Sequence, residues 1–254
     1  WQMDANKWIF TENGLICITC EEEPKSSKSK ENIKHHDEDK AFGEGRLFEL
    51  EDFNEIEAKG NLSVVVSRED AYHVEVKGVD KYLDKVYVRK IGDILSVEFD
   101  GDRFINLKSS KKKPVKVYIS LPELKSIKGW GVTNYDISDF ESPEFYVNLS
   151  GASSADINIK SENIEMKLRG ASSVNLSGST DSFEAEISGA SSLRAYNMTT
   201  RSSSIEASGA SSAKIYARDK LYVEASGMSS VHYKGSPEVS VIDEDGLSSV
   251  RKDD

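Results

Sequence analysis

Four basic side chains, Arg194, Lys214, His232 and Arg251, recur at a pitch of about 19 residues, and Tyr196, Tyr216 and Lys234 stand two positions beyond the first three. Cations repeated at a near-fixed pitch and edged by aromatic rings are the chemistry of an anion-holding stripe. The charges attract an acidic polysaccharide or the acidic surface of a protein, and the ring faces stack on sugars. The plainer reading is that the outward positions of half-buried strands are polar on any ladder. A second series, Glu186, Glu206, Glu224 and Asp243, repeats at the same pitch. Like charges opposite one another destabilise a sheet, so a bound hard cation such as Ca²⁺ is one reading of it. Exposed carboxylates that splay apart under salt screening are the other.

Other chemistries find less support. Cys17 and Cys20 form a single C-x-x-C in Leu-Ile-Cys-Ile-Thr-Cys. On a strand, residues three apart point to opposite faces, and neither a second C-x-x-C nor an H-x3-5-H follows, since His35 and His36 are adjacent. A short strand is expected there, with no redox or metal role. The remaining histidines are His73 and His232. No G-x-S-x-G elbow is present, and no serine, histidine and acid are placed to be read as a triad. No catalytic, cofactor-binding or metal-binding residue is assigned, and no cofactor is expected.

The elements that would position the stripes are written in the chain's strongest pattern. Gly-x-Ser-Ser occurs six times, at Gly151, Gly170, Gly189, Gly209, Gly227 and Gly246, with slightly unequal intervals of about 19 residues. Gly131-Val132-Thr133-Asn134 reads as a degenerate earlier copy, one period before Gly151. Self-similarity at this period signals a stacked array. Aligned on the glycines, apolar residues fill the positions four and six after (Ala155, Val174, Leu193; Ile157, Leu176). They also fill those two, four and six before (Leu149, Val147, Phe145; Leu168, Met166, Ile164). The residue five after, Asp156, Asn175, Arg194, Lys214, His232 or Arg251, must face water. The rung ending at Gly246 slips by one at Val239 and Val241, which predicts a bulge. Glycine at each corner accepts positive φ, and stacked serines can hydrogen-bond along the ladder, which leaves no buried hydroxyl unsatisfied. Small alanine after the glycine is expected where the walls converge, so Met228 and Leu247 in that place predict a wider interior. The expected fold is all-β, a right-handed parallel β-helix of about 19 residues per turn.

Composition sets the organisation. Residues 1–20 carry Trp1, Trp8, Ile9 and Phe10 ahead of a short strand. Residues 21–45 are charged and nearly free of large apolar side chains, a flexible linker. Residues 46–254 make one β-helix domain, irregular over 46–130 and regular over 131–254. A net charge of −11 excludes nonspecific nucleic-acid binding, and no apolar run is long enough to span a bilayer. The chain opens at Trp1 without the regions of a signal peptide, so a leader or anchor lost from its start is an expectation. Open ends of a stacked sheet invite self-association, which makes a homo-oligomer a further expectation.

Phe53-Asn54-Glu55-Ile56, a strand led by Gly60, Tyr72-His73-Val74-Glu75-Val76 and the repeated Gly-Ala-Ser-Ser rungs together resemble the bacterial family called putative auto-transporter adhesin, head GIN domain. The resemblance covers about residues 48–251 and implies a right-handed β-helix on proteins of the bacterial envelope, periplasmic or extracellular. It brings no catalytic or binding residues with it. A non-catalytic binding or adhesin-like module for a surface glycan or envelope protein is therefore expected. A structural or sensory ectodomain of a larger membrane protein is the first alternative. A carbohydrate-active β-helix enzyme is the second, although such a cleft needs loops at the corners and the period leaves none.

Overall fold

The computed structural model describes residues 8–11, 14–17, 45–101 and 115–254. Residues 1–41 are a unit of their own, in which β1 (Trp8–Thr11) and β2 (Gly14–Cys17) form an antiparallel pair with Trp8 opposite Cys17. The expected strand around Cys17 is present, while Cys20, His35 and His36 lie outside the described residues.

Residues 42–254 form the second unit, a β-solenoid of about six turns. After the short β3 (Arg46–Leu47) it opens with β4 (Glu55–Gly60), β5 (Ser63–Arg68) and β6 (His73–Gly78). One helical turn, α1 (Asp80–Leu83), leads to β7 (Val86–Ile91), β8 (Ile94–Phe99), β9 (Val115–Leu121) and β10 (Ser126–Gly131). The regular turns are β11 (Asn134–Gly151), β12 (Ser154–Leu168), β13 (Ser173–Ile187), β14 (Ser192–Ala207) and β15 (Ser212–Ala225). The last turn is divided among β16 (Ser230–Lys234), β17 (Glu238–Glu244) and β18 (Ser249–Lys252). From β10 to β18 every pairing is parallel and in sequence. At the other end the ladders finish on antiparallel pairs, β9 with β6 and β6 with β3 on one wall and β8 with β7 on another.

The Gly-x-Ser-Ser copies build one corner. Gly151, Gly170, Gly189, Gly209, Gly227 and Gly246 stand at φ between +73° and +82°, a region that a Cβ disfavours. Each following N–H donates to the glycine carbonyl one rung below, as Ala190 does to Gly170 at 2.7 Å. In the first five copies the next serine turns inward and is buried, and its hydroxyl usually finds a backbone carbonyl: Ser172 Oγ donates to Arg169 O at 2.9 Å. Ser211 Oγ is the exception in this column, buried without a partner.

The corner corrects one expectation. The residue after the glycine does not pack where walls converge; it faces solvent, so Met228 is 66% and Leu247 81% exposed and neither widens the interior. The left-handed glycine swings its successor outward and gives the interior place to the serine. The stack also reaches further back than Gly131, because Gly60 lies in register beneath it. β8 and β9 lie parallel beneath β4 and β5 as a further rung, and β7 and β6 pair antiparallel on their outer edges.

A second corner was not legible as a motif. In β12 the buried residues are Ala155, Ile157 and Ile159, then Ile164, Met166 and Leu168. That change from odd to even numbers is a phase slip, so the strand must bend at 161–163. Ser142, Ser161 and Thr180 stack there, and their hydroxyls donate to the carbonyls of Glu144, Asn163 and Ser182 at 2.7, 2.8 and 3.0 Å. Unequal intervals between glycines have local causes. Asp139, at φ +65°, is the extra residue that lengthens the turn from Gly131 to Gly151. The slip expected near Gly246 is a register shift between Val223↔Val241 and Glu224↔Asp243.

Candidate functional site

The outward column falls in one line. Asp136, Asp156, Asn175, Arg194, Lys214, His232 and Arg251 are successive ladder partners, one per rung. Parallel pairing puts neighbours about 4.8 Å apart. The line runs from acid through amide to base, and Asn175 bridges the change by donating its amide to Asp156. An open groove of about 560 Å³ follows the first five rungs of this line, with Asn158, Ser177 and Tyr196 along its other side. Asp136 was missed by the sequence reading, although the column extends to it through Gly131.

Like charges in register repel, yet among the described residues no carboxylate forms an ion pair with Arg194, Lys214 or Arg251. Arg194 reaches only the hydroxyl of Ser173, at 3.4 Å. Arg194 and Lys214, on adjacent rungs, and Arg251 at the end of the line thus stand without an ion pair among the described residues.

Tyr196 departs from its expected place. Tyr216 and Lys234 are ladder partners, but the partner of Tyr216 in β14 is Thr199, because the register shifts between Ala195 and Thr199. This bulge frees Tyr196 from the ladder. Its ring lies 5.9 Å from the ammonium of Lys214 and 5.4 Å from that of Lys234, both cation–π distances. Its hydroxyl donates to Asp253 Oδ2 at 2.5 Å, while Asp253 Oδ1 lies 2.9 Å from His232 Nδ1. A carboxylate only accepts, so Nδ1 of His232 carries the proton. Desolvation, with the Asp253 carboxylate beside it, pushes the Tyr196 phenol up; the hydrogen bonds from His232 and then Tyr196 hold the Asp253 carboxyl down.

The acidic series is in register as well, Glu186 with Glu206, Glu206 with Glu224, and Glu224 with Asp243. Its charge is partly met within the chain. Glu186 pairs with Lys167 at 3.1 Å and Arg169 at 3.4 Å, and Glu224 accepts the hydroxyl of Tyr222 at 2.6 Å. Among the described residues no three acidic, histidine or cysteine side chains converge on a metal position.

Solved structures share this architecture. A putative adhesin from Bacteroides fragilis is similar with a TM-score of 0.74 and 19% identity, over 82% of this chain and 95% of that one. A putative adhesin from Parabacteroides merdae gives 0.63 and 18%, over 83% and 96%. A putative lipid binding protein from Parabacteroides distasonis gives 0.60 and 19%, over 83% and 96%. At these identities the likeness is one of fold. No curated protein matches the chain. The sequence profile described as putative auto-transporter adhesin, head GIN domain, matches residues 52–237, which is more than half of the chain. The glycine corner from Gly60 to Gly227, with its stacked serines and the ladder from β4 to β16, lies within that span, and the chain belongs to this family.

Proposed function

We propose that this protein is a non-catalytic, adhesin-like binding module of the bacterial cell envelope, and that the ladder face from Asp136 to Arg251 holds an extended acidic polysaccharide. The observation that carries this reading is the alignment of a groove with a line of charges that changes sign along its length. A polymer lying along the stack meets one side chain at each rung. Asp136, Asp156 and Asn175 accept hydrogen bonds from sugar hydroxyls, while Arg194, Lys214, His232 and Arg251 draw the acidic groups. Tyr196 offers a ring face at the boundary between the two halves. Among the described residues the corners from Gly131 to Gly246 carry no long inserted loops, which favours a shallow binding surface over a cleft that flanks a scissile bond with two carboxylates.

Reversing two of the charges tests the reading. The double variant R194E/K214E is expected to bind an acidic polysaccharide at least about tenfold more weakly than the parent, since like charge at a contact is strongly disfavoured. Its melting temperature should stay within about 2 °C, because both side chains are exposed. Raised salt should weaken parental binding, as expected for screened surface charges. Unchanged affinity, or tight binding only to an acidic protein, would contradict the proposal.

A further inference from the structure

Asp253 and Asp254 extend the last rung beside the basic end of the ladder. The Asp253 N–H donates to Tyr233 O at 2.8 Å, which continues the pairing of β18 on β16 and sets the Asp253 side chain beside His232. There its two oxygens are shared between the hydroxyl of Tyr196 and the imidazole of His232, at 2.5 and 2.9 Å. Lys234 donates to the carbonyl oxygen of Asp254, and its ammonium lies 5.4 Å from the Tyr196 ring centroid. One carboxylate is thus seated among a phenol, an imidazole and the ladder ammonium groups. It is ionised at neutral pH, because the hydrogen bonds from His232 and Tyr196 hold its carboxyl below the usual carboxylate range.

We propose that this seat, formed by Tyr196, Lys214, His232 and Lys234, is a carboxylate-binding site for a uronate-bearing polysaccharide, and that Asp253 occupies it in the free protein as a built-in competitor. The inference rests on the ladder face being the binding face and names the acidic group it selects. Asp253 meets only part of the local positive charge: Lys214 acts on it without forming an ion pair, and Arg194 and Arg251 form none with any carboxylate among the described residues. A tethered carboxylate acts at an effective concentration of about millimolar, so a single free carboxylate competes poorly with it. A polyuronate differs because it presents carboxylates in series. It can take the Asp253 seat and the neighbouring rungs together. The side chain of Asp253 stays partly exposed, at 36%, so an incoming group can reach it.

The test compares the full chain with D253N by calorimetric titration with hexagalacturonate, using maltohexaose as the uncharged control and polyglutamate as the peptide control. If Asp253 fills the seat about four-fifths of the time, its removal raises affinity for hexagalacturonate about fivefold, by the occupancy of the competent state. Adding K214E to D253N should then abolish that gain. In the parent, the ¹³C signal of the Asp253 carboxyl should titrate at higher pH once hexagalacturonate is bound, because the side chain has been displaced. Binding by the parent with no gain in D253N, or with an unmoved Asp253 titration, would overturn the competitor and leave the ladder face standing. No binding of hexagalacturonate by either protein would overturn both. Polyglutamate binding more tightly than hexagalacturonate would overturn the assignment to a saccharide.

Discussion

Replacing Gly189 by alanine is expected to lower the free energy of unfolding by about 3 kcal/mol, against about 1 kcal/mol for Gly92→Ala. Both glycines have positive φ, +76° and +59°, so both substitutions meet the conformational penalty of a side chain there. They differ in what the new Cβ touches. At Gly92 it meets nothing within 4 Å, whereas at Gly189 it lies 2.5 Å from the carbonyl oxygen of Gly170. That oxygen cannot retreat freely, because it accepts the Ala190 N–H at 2.7 Å and ties two rungs together. Relief of the clash must therefore stretch the ladder. Urea unfolding of the two variants separates the contributions: equal losses would show that only local conformation matters, and that the stacking of glycine on glycine does not.

Phe183→Ala should cost about 3–5 kcal/mol, the usual range for truncating a buried phenylalanine. Phe183 is 1% exposed and stacks in one interior column between Ile164 and Ser203. Ser203 is itself small and polar, and its hydroxyl is engaged with Thr200 at 2.5 Å. Truncation would put two small side chains on successive rungs, and neither neighbour is long enough to fill the gap. In a quasi-one-dimensional stack stability is a sum of rungs and their interfaces, so the loss falls on the coupling between β13 and β14. Denaturant unfolding of the variant should start at lower concentration and broaden or divide into two steps as the coupling weakens. A single sharp transition at the parental midpoint would contradict this account of the core.

Much of this fold is readable from the chain, and what escapes reading has identifiable causes. Gly189 and its fellows mark the corner because only positive φ recurs at that period, and the alternation around Val174 or Met166 reports burial directly. Alanine in Gly-Ala-Ser-Ser misleads, because small size suits either a tight interior or an outer bend, and composition does not separate the two. The second corner at Ser142, Ser161 and Thr180 is hidden because hydroxyls at an arbitrary strand position look like ordinary outward polarity. Of the candidate site, the line Arg194, Lys214, His232 and Arg251 follows from register alone. The departure of Tyr196 does not, since it depends on a bulge whose residues keep an unremarkable spacing. Asp253 is likewise invisible until the last strand is seen to pair on β16.

The central claim is that the Gly-x-Ser-Ser period supplies geometry and that binding belongs to the outward ladder. Its most direct test is the map of ¹H–¹⁵N shift changes when an acidic polysaccharide is titrated into the protein. The largest changes are expected at residues 194–197, 214–216, 232–234 and 251–253, with smaller ones at 136, 156 and 175 and the glycine corner at 189–192 and 209–212 little moved. Changes centred on that corner, or on the opposite series Glu186, Glu206 and Glu224, would contradict it.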